Sequence, residues 1–214
     1  MTDDLQAHQK KNEHRLGVIG GSFDPIHYGH LRIAESALRD FKLEKVIFIP
    51  AYCPPHKARP ILAPFEHRSA MVRLAIEGRA HFEMSDIECR QSCPAYAGDT
   101  VAEIKKQYGR HYEFYFIIGL DSLLTLTDWD KAHTYPGLCF FIVTTRPGFT
   151  ISSLEQDIPE KFLPYILTNE IPALSVSSTD IKHRIRSGLS IDGMVPDTVK
   201  DYIETFKIYT RIFT

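Results

Sequence analysis

The apolar run Leu16-Gly17-Val18-Ile19-Gly20 ends in a glycine pair and is followed by apolar residues at helical spacing: Leu31, Ala34, Leu38 and Phe41. A second apolar run, Lys45-Val46-Ile47-Phe48-Ile49-Pro50, is closed by proline. Strand, glycine turn, helix and strand make a βαβ unit, in which the two strands are parallel because the helix carries the chain back. The alternation continues. Glu66 to Glu77 has helical periodicity through Met71, Leu74 and Ala75, and Thr100 to Tyr108 reads as another helix. Phe114 to Gly119 and Leu138 to Thr144 read as buried strands, with Tyr165-Ile166-Leu167 as a short last one. Asp180 to Ser187 and Asp197 to Phe206 read as helices, Gly188 standing where a helix C-terminus needs it. The expected fold is α/β, a Rossmann-like doubly wound parallel sheet with its ligands at the carboxyl ends of the strands.

With 214 residues, no repeat and no low-complexity linker, residues 15–214 are expected to form a single domain behind a flexible N-terminal tail, residues 1–14. The proline-rich stretch from Pro50 to Pro64 reads as a long loop, and long loops within compact domains are often functional. A net charge of -2 gives no general affinity for nucleic acid or an anionic membrane, so neither is expected as a partner. No basic stripe or aromatic ribonucleoprotein motif points to RNA. No apolar run approaches the roughly 20 residues that span a bilayer. The polar N-terminus lacks the apolar core of a secretion signal, so the expected location is the cytoplasm. Cys53, Cys89, Cys93 and Cys139 form no Cys-x-x-Cys pair and are expected as buried or half-buried thiols.

The segment that carries chemistry is Gly20-Gly21-Ser22-Phe23-Asp24-Pro25-Ile26-His27-Tyr28-Gly29-His30-Leu31. It is neither a dinucleotide fingerprint nor a P-loop, since it has no Gly-x-Gly-x-x-Gly and no Gly-Lys-Ser/Thr. Its glycines let backbone N–H groups approach an anion, and the helix N-terminus beyond adds partial positive charge. Histidines three apart share one face of a helical turn and can reach the same phosphate. On spacing alone, two helix-capping histidines would read the same way. A metal site is the weaker third option, because no third ligand accompanies the pair.

The twelve residues resemble the signature of the nucleotidyltransferase superfamily, with its His-x-Gly-His motif at His27-Tyr28-Gly29-His30, and in particular that of the bacterial nicotinate-nucleotide adenylyltransferases. The resemblance runs from about Arg15 to the C-terminus in separate blocks: Pro54-Pro55-His56-Lys57, Glu66-His67-Arg68 with Met71, Phe116 to Ser122 with Trp129, Arg146-Pro147-Gly148, and Val176 to Lys182. It implies a nucleotidyltransferase-type fold and an enzyme that transfers AMP from ATP to nicotinate mononucleotide, releasing pyrophosphate and giving deamido-NAD for NAD biosynthesis. It implies no covalent enzyme intermediate, which suits a chain with no Ser/His/Asp triad signature. Phosphoryl-type transfer depends on alignment and charge stabilisation.

By the same resemblance, His27 and His30 are the catalytic residues. Gly20, Gly21, Ser22, Phe23, Gly119, Asp121, Ser178, Thr179 and Lys182 join them in binding ATP, Asp121 through the ribose hydroxyls. Lys57 looks like a phosphate ligand on the mononucleotide side. Ala97 lies where backbone N–H groups hold the nicotinate carboxylate, Trp129 where a ring stacks on the pyridine, and Arg146 near the mononucleotide phosphate. Ser178 and Thr179 read equally as helix caps, Asp121 as the cap of the turn that follows it. Mg²⁺ is implied with ATP, with no protein ligand assigned to it. A homo-oligomer is compatible with the sequence. The chain departs from the family pattern at Ala95 and Ala97, where hydroxyls are usual, at Asp130, where an aromatic is common, and at Lys182, where an arginine is usual. These departures keep two alternatives open: nicotinamide mononucleotide as substrate, and a non-catalytic nucleotide-binding protein of the same fold.

Overall fold

The computed structural model describes residues 14–53, 63–90, 93, 97–109, 111–124, 137–145, 158–171 and 176–210. Among the described residues six strands form one sheet: β1 (His14–Gly21), β2 (Lys45–Pro50), β3 (Phe82–Met84), β4 (Tyr112–Gly119), β5 (Phe140–Thr145) and β6 (Ile166–Glu170). Their order is β3-β2-β1-β4-β5-β6, and every pairing is parallel. Strand order reverses between β1 and β4, which opens a crevice at their carboxyl ends. Val18 pairs with Ile47 on one side and Phe116 on the other, so the strand that feeds the glycine loop lies in the middle of the sheet.

The helices are α1 (Tyr28–Asp40), α2 (Phe65–Ile76), α3 (Ala97–Tyr108), the short α4 (Leu120–Leu124), α5 (Ser178–Arg186) and α6 (Asp197–Thr205). Side chains alternate across each strand and build a core on both faces. Ile19, Phe48, Tyr115 and Ile142 pack with Leu31 and Ala34 of α1, Met71 and Val72 of α2 and Val199 of α6. On the other face Leu16, Val18, Ile47, Phe114 and Phe141 pack with Val101 and Ile104 of α3 and with Phe162. Among the described residues no helix is long and apolar enough to cross a membrane.

The expected strands and helices are present with ends shifted by a few residues. His14 is the first residue of β1, while the rest of the expected tail lies outside the described residues. Gly188 does end α5. At φ +68° it lets the Gly188 N–H donate to Ile185 O at 3.1 Å and the Leu189 N–H to Arg184 O at 2.8 Å, the two bonds of a Schellman turn.

Candidate active site

Helix α1 begins at the carboxyl end of β1, and the two histidines are its cap. The Gly29 N–H donates to His27 Nδ1 at 3.1 Å, and the His27 N–H donates to His30 Nδ1 at 3.2 Å. This is a capping box built from imidazoles. Capping and phosphate binding are therefore not rival roles, because they use different nitrogens. An Nδ1 that accepts from a backbone amide carries no proton, so the ring proton of each neutral imidazole sits on Nε2. The rings stack, centroids 3.8 Å apart and 28° from parallel. A Cβ on Gly29 would stand 2.8 Å from the His27 ring, which explains glycine between the two histidines.

His27 is buried, and burial lowers its pKa from 6.5 to about 4. The unfolded chain therefore binds a proton between pH 6.5 and pH 4 that the folded chain does not. The His27 contribution to stability is complete above pH 6.5 and declines as the pH falls through that window, by up to about 3 kcal/mol. Urea titrations from pH 7 to pH 4 are expected to show this slope in the wild type. They should show a flatter one in His27→Asn, which keeps a capping acceptor and cannot titrate. Equal slopes would mean that His27 is not the buried titrating group.

Phe23 braces the loop. Its backbone is left-handed (φ 46°), a strained conformation held by burial of the ring. The ring meets His30 edge-on at 5.0 Å. Behind it lies a polar clasp on Asp24. This 2%-exposed carboxylate accepts from Lys182 Nζ on Oδ2 at 2.9 Å, and from the Tyr209 hydroxyl at 2.9 Å and the Ala63 N–H at 3.1 Å on Oδ1. Arg68 of α2 is also 2% exposed and spreads its guanidinium over three backbone carbonyls: Ser22 at 2.6 Å, Ala51 at 2.7 Å and Ala63 at 3.0 Å. One fork thus ties the exits of β1 and β2 to the start of α2.

The residues expected to bind ATP lie on this loop and at the ends of the elements beside it. Gly20 and Gly21 end β1, with Ser22 and Phe23 next. Gly119 is the exposed last residue of β4, across the crevice, and Asp121 lies in α4. At α5 the side chains differ from expectation. The cap is Ser177, whose Oγ accepts from the Asp180 N–H at 3.1 Å. Ser178 is already helical and donates its hydroxyl to Pro25 O at 2.8 Å, so that hydroxyl fixes the loop rather than capping the helix. Thr179 is exposed in the first turn, where backbone N–H groups have no partner within the helix. Lys182 meets the loop through its ammonium, which pairs with Asp24.

Of the residues expected on the mononucleotide side, Ala97 is the first residue of α3. Lys57, Trp129 and Arg146 lie outside the described residues. The cysteine expectation is corrected: Cys53, after β2, and Cys93, before α3, are disulfide-bonded with Cα atoms 5.6 Å apart. Forty residues of separation hid a pair that the parallel sheet brings together. Cys139 remains a buried thiol, its pKa pushed up to about 12 by burial, and Cys89 is half-buried. Beside the disulfide, Glu88 accepts from the Tyr52 N–H and the Thr100 hydroxyl, and burial raises its pKa. Asp24, Arg68, Glu88 and Tyr209 had no role in the sequence reading. For the first two the signal in the sequence is a charged residue within a motif: Asp24 in the glycine loop and Arg68 in Glu66-His67-Arg68.

The cytidylyltransferase-like family matches residues 18–184. A probable nicotinate-nucleotide adenylyltransferase of Moorella thermoacetica is 41% identical over 200 residues, covering 91% of each chain. One from Thermoanaerobacter sp. is 39% identical over 204 residues, covering 94% of this chain and 97% of the relative. Among solved structures, the Plasmodium falciparum nicotinic acid mononucleotide adenylyltransferase complexed with NaAD superposes with a TM-score of 0.74 at 22% identity, covering 94% of this chain and 100% of that one.

Proposed function

The chain belongs to the nicotinate-nucleotide adenylyltransferase family of nucleotidyltransferases, and from that premise we propose that it joins ATP and nicotinate mononucleotide into deamido-NAD and pyrophosphate. The observation that carries the mechanism is the imidazole capping box. A phosphate oxygen of the mononucleotide attacks the α-phosphorus of ATP, the bond to the bridging oxygen breaks, and pyrophosphate leaves with the electron pair. No protein atom forms a bond to phosphorus. His27 and His30 supply Nε2–H donors whose direction is set before substrate arrives, so little reorganisation is needed as charge develops. The N-termini of α1 and α5, together with the backbone of Gly20, Gly21, Ser22 and Phe23, add partial positive charge for the phosphates. An ammonium has three N–H groups, and Asp24 takes one from Lys182, so Lys182 reaches a phosphate without losing its pair. Gly119 and Asp121 serve the ATP ribose side; Lys57, Trp129 and Arg146 serve the mononucleotide. Mg²⁺ would accompany the ATP phosphates and offset their negative charge. Among the described residues no cluster of three His, Cys, Asp or Glu side chains is placed to hold an ion.

The acid form of the pyridine nucleotide is favoured by the start of α3. Ala97 has no hydroxyl, but a helix N-terminus supplies backbone N–H groups and partial positive charge to a carboxylate and favours a neutral amide less. A charge-assisted bond of this kind is worth about 1.5–3 kcal/mol, so kcat/KM for nicotinate mononucleotide is expected to exceed that for nicotinamide mononucleotide by roughly 10- to 100-fold. Steady-state pyrophosphate release with each substrate measures the ratio, and a preference for the amide would overturn the substrate assignment.

A further inference from the structure

The buried clasp on Asp24 contains one group that the transfer itself does not require: the phenol of Tyr209, which comes from the far end of the chain. Tyr209 is 3% exposed. Its backbone is left-handed (φ 68°), as is that of Lys207 (φ 51°), two residues earlier. Neither is glycine, so this turn after α6 holds the backbone in a conformation that L residues rarely adopt. Such strain persists where the surrounding structure demands it and clusters where geometry matters to function. Here the turn folds the ring back into the core, where it does two things at once. The hydroxyl donates to Asp24 Oδ1 at 2.9 Å, and the ring carries the Lys182 ammonium 5.9 Å from its centroid. Burial and the adjacent carboxylate raise the phenol pKa, so Tyr209 stays a neutral donor throughout the physiological range.

Asp24 lies three residues before His27 and is joined to it through Pro25 and the fully buried Ile26. Pro25 O accepts from Ser178, and the Ala63 N–H shares Oδ1 with Tyr209. Where Asp24 is held therefore helps to set the position of the imidazole pair. We propose that Tyr209 is a positioning residue for AMP transfer, fixing the phosphate loop and the His27–His30 pair through Asp24. The inference rests on the adenylyltransferase reading only for its effect on rate; the effect on His27 is independent of turnover.

The test is Tyr209→Phe, which removes one oxygen and keeps the ring in place. In the isotope-labelled protein, the His27 ring titrates near pH 4 in the wild type and moves upward toward 6.5 in the variant as the loop loosens and the ring gains solvent. In steady-state assays at a temperature where both proteins are folded, kcat falls about 10-fold while KM for ATP changes less than about 3-fold. A tyrosine that only stabilises the fold would lower the melting temperature and leave His27 and kcat where they were; that result overturns the proposal. A wild type that releases no pyrophosphate while His27 still shifts in the variant would sink the activity and leave the positioning role standing. A measurement without any variant guards against misfolding: a phenol proton buried on a carboxylate exchanges slowly enough to give its own resonance, and no such resonance from Tyr209 would overturn the contact.

Discussion

Replacing His30 with alanine is expected to lower kcat for pyrophosphate release by about 10²-fold with the fold intact. Losing one preorganised donor to a developing oxyanion costs roughly 3 kcal/mol in the transition state, which is the quoted factor. The cost to stability is smaller. Alanine removes the acceptor of the His27 N–H, one half of the capping box, worth about 1 kcal/mol. The two effects separate in His30→Gln. Glutamine is a natural third residue of a capping box and reaches back to the cap N–H, so stability should recover while kcat stays low. Melting curves and steady-state rates on the same preparations check this. Near wild-type kcat in His30→Ala would remove His30 from the chemistry and leave it only a cap.

Arg68→Met is expected to be the most destabilising single change near the site, by about 3–5 kcal/mol. Methionine fills much of the volume but leaves the carbonyls of Ser22, Ala51 and Ala63 without their donor. It also removes a cation that interacts with the buried carboxylates of Asp24 and Glu88. For a chain of 214 residues this corresponds to a fall in Tm of roughly 10 °C. Arg68→Lys should recover little, because an ammonium cannot span three carbonyls set around a planar fork. Chemical denaturation gives the free energy directly, and a loss below about 1 kcal/mol would mean that water replaces the guanidinium without difficulty.

What could be read in advance was whatever leaves a local trace. Leu16 to Gly20 reads as a strand because every residue is buried or small, and α1 shows its face through Leu31, Ala34 and Leu38. His27 and His30 stood out by spacing, although spacing could not say whether they cap or bind; the nitrogens had to be seen to learn that both hold. β3 escaped because its three residues, Phe82, Glu83 and Met84, are only half-buried and pair on one side alone. The clasp escaped for a different reason. Asp24 meets Lys182 across 158 residues and Tyr209 across 185, and a long-range hydrogen bond imposes no periodicity on either partner's neighbours. The Cys53–Cys93 bridge is the same kind of fact. Ser178 shows the limit of motif reading at a helix start: of three adjacent hydroxyls, only geometry told which one caps and which one holds Pro25.

Donors that are already aligned in the loop allow AMP to pass directly from ATP to the mononucleotide. The measurement that tests it is a single incubation with ATP labelled at the α-phosphorus, Mg²⁺ and nicotinate mononucleotide, followed by chromatography and quenched-protein counting. Label should pass into deamido-NAD in one-to-one proportion to the pyrophosphate released, with none retained on the protein. Label trapped covalently on the chain, or no label in the dinucleotide, would contradict it.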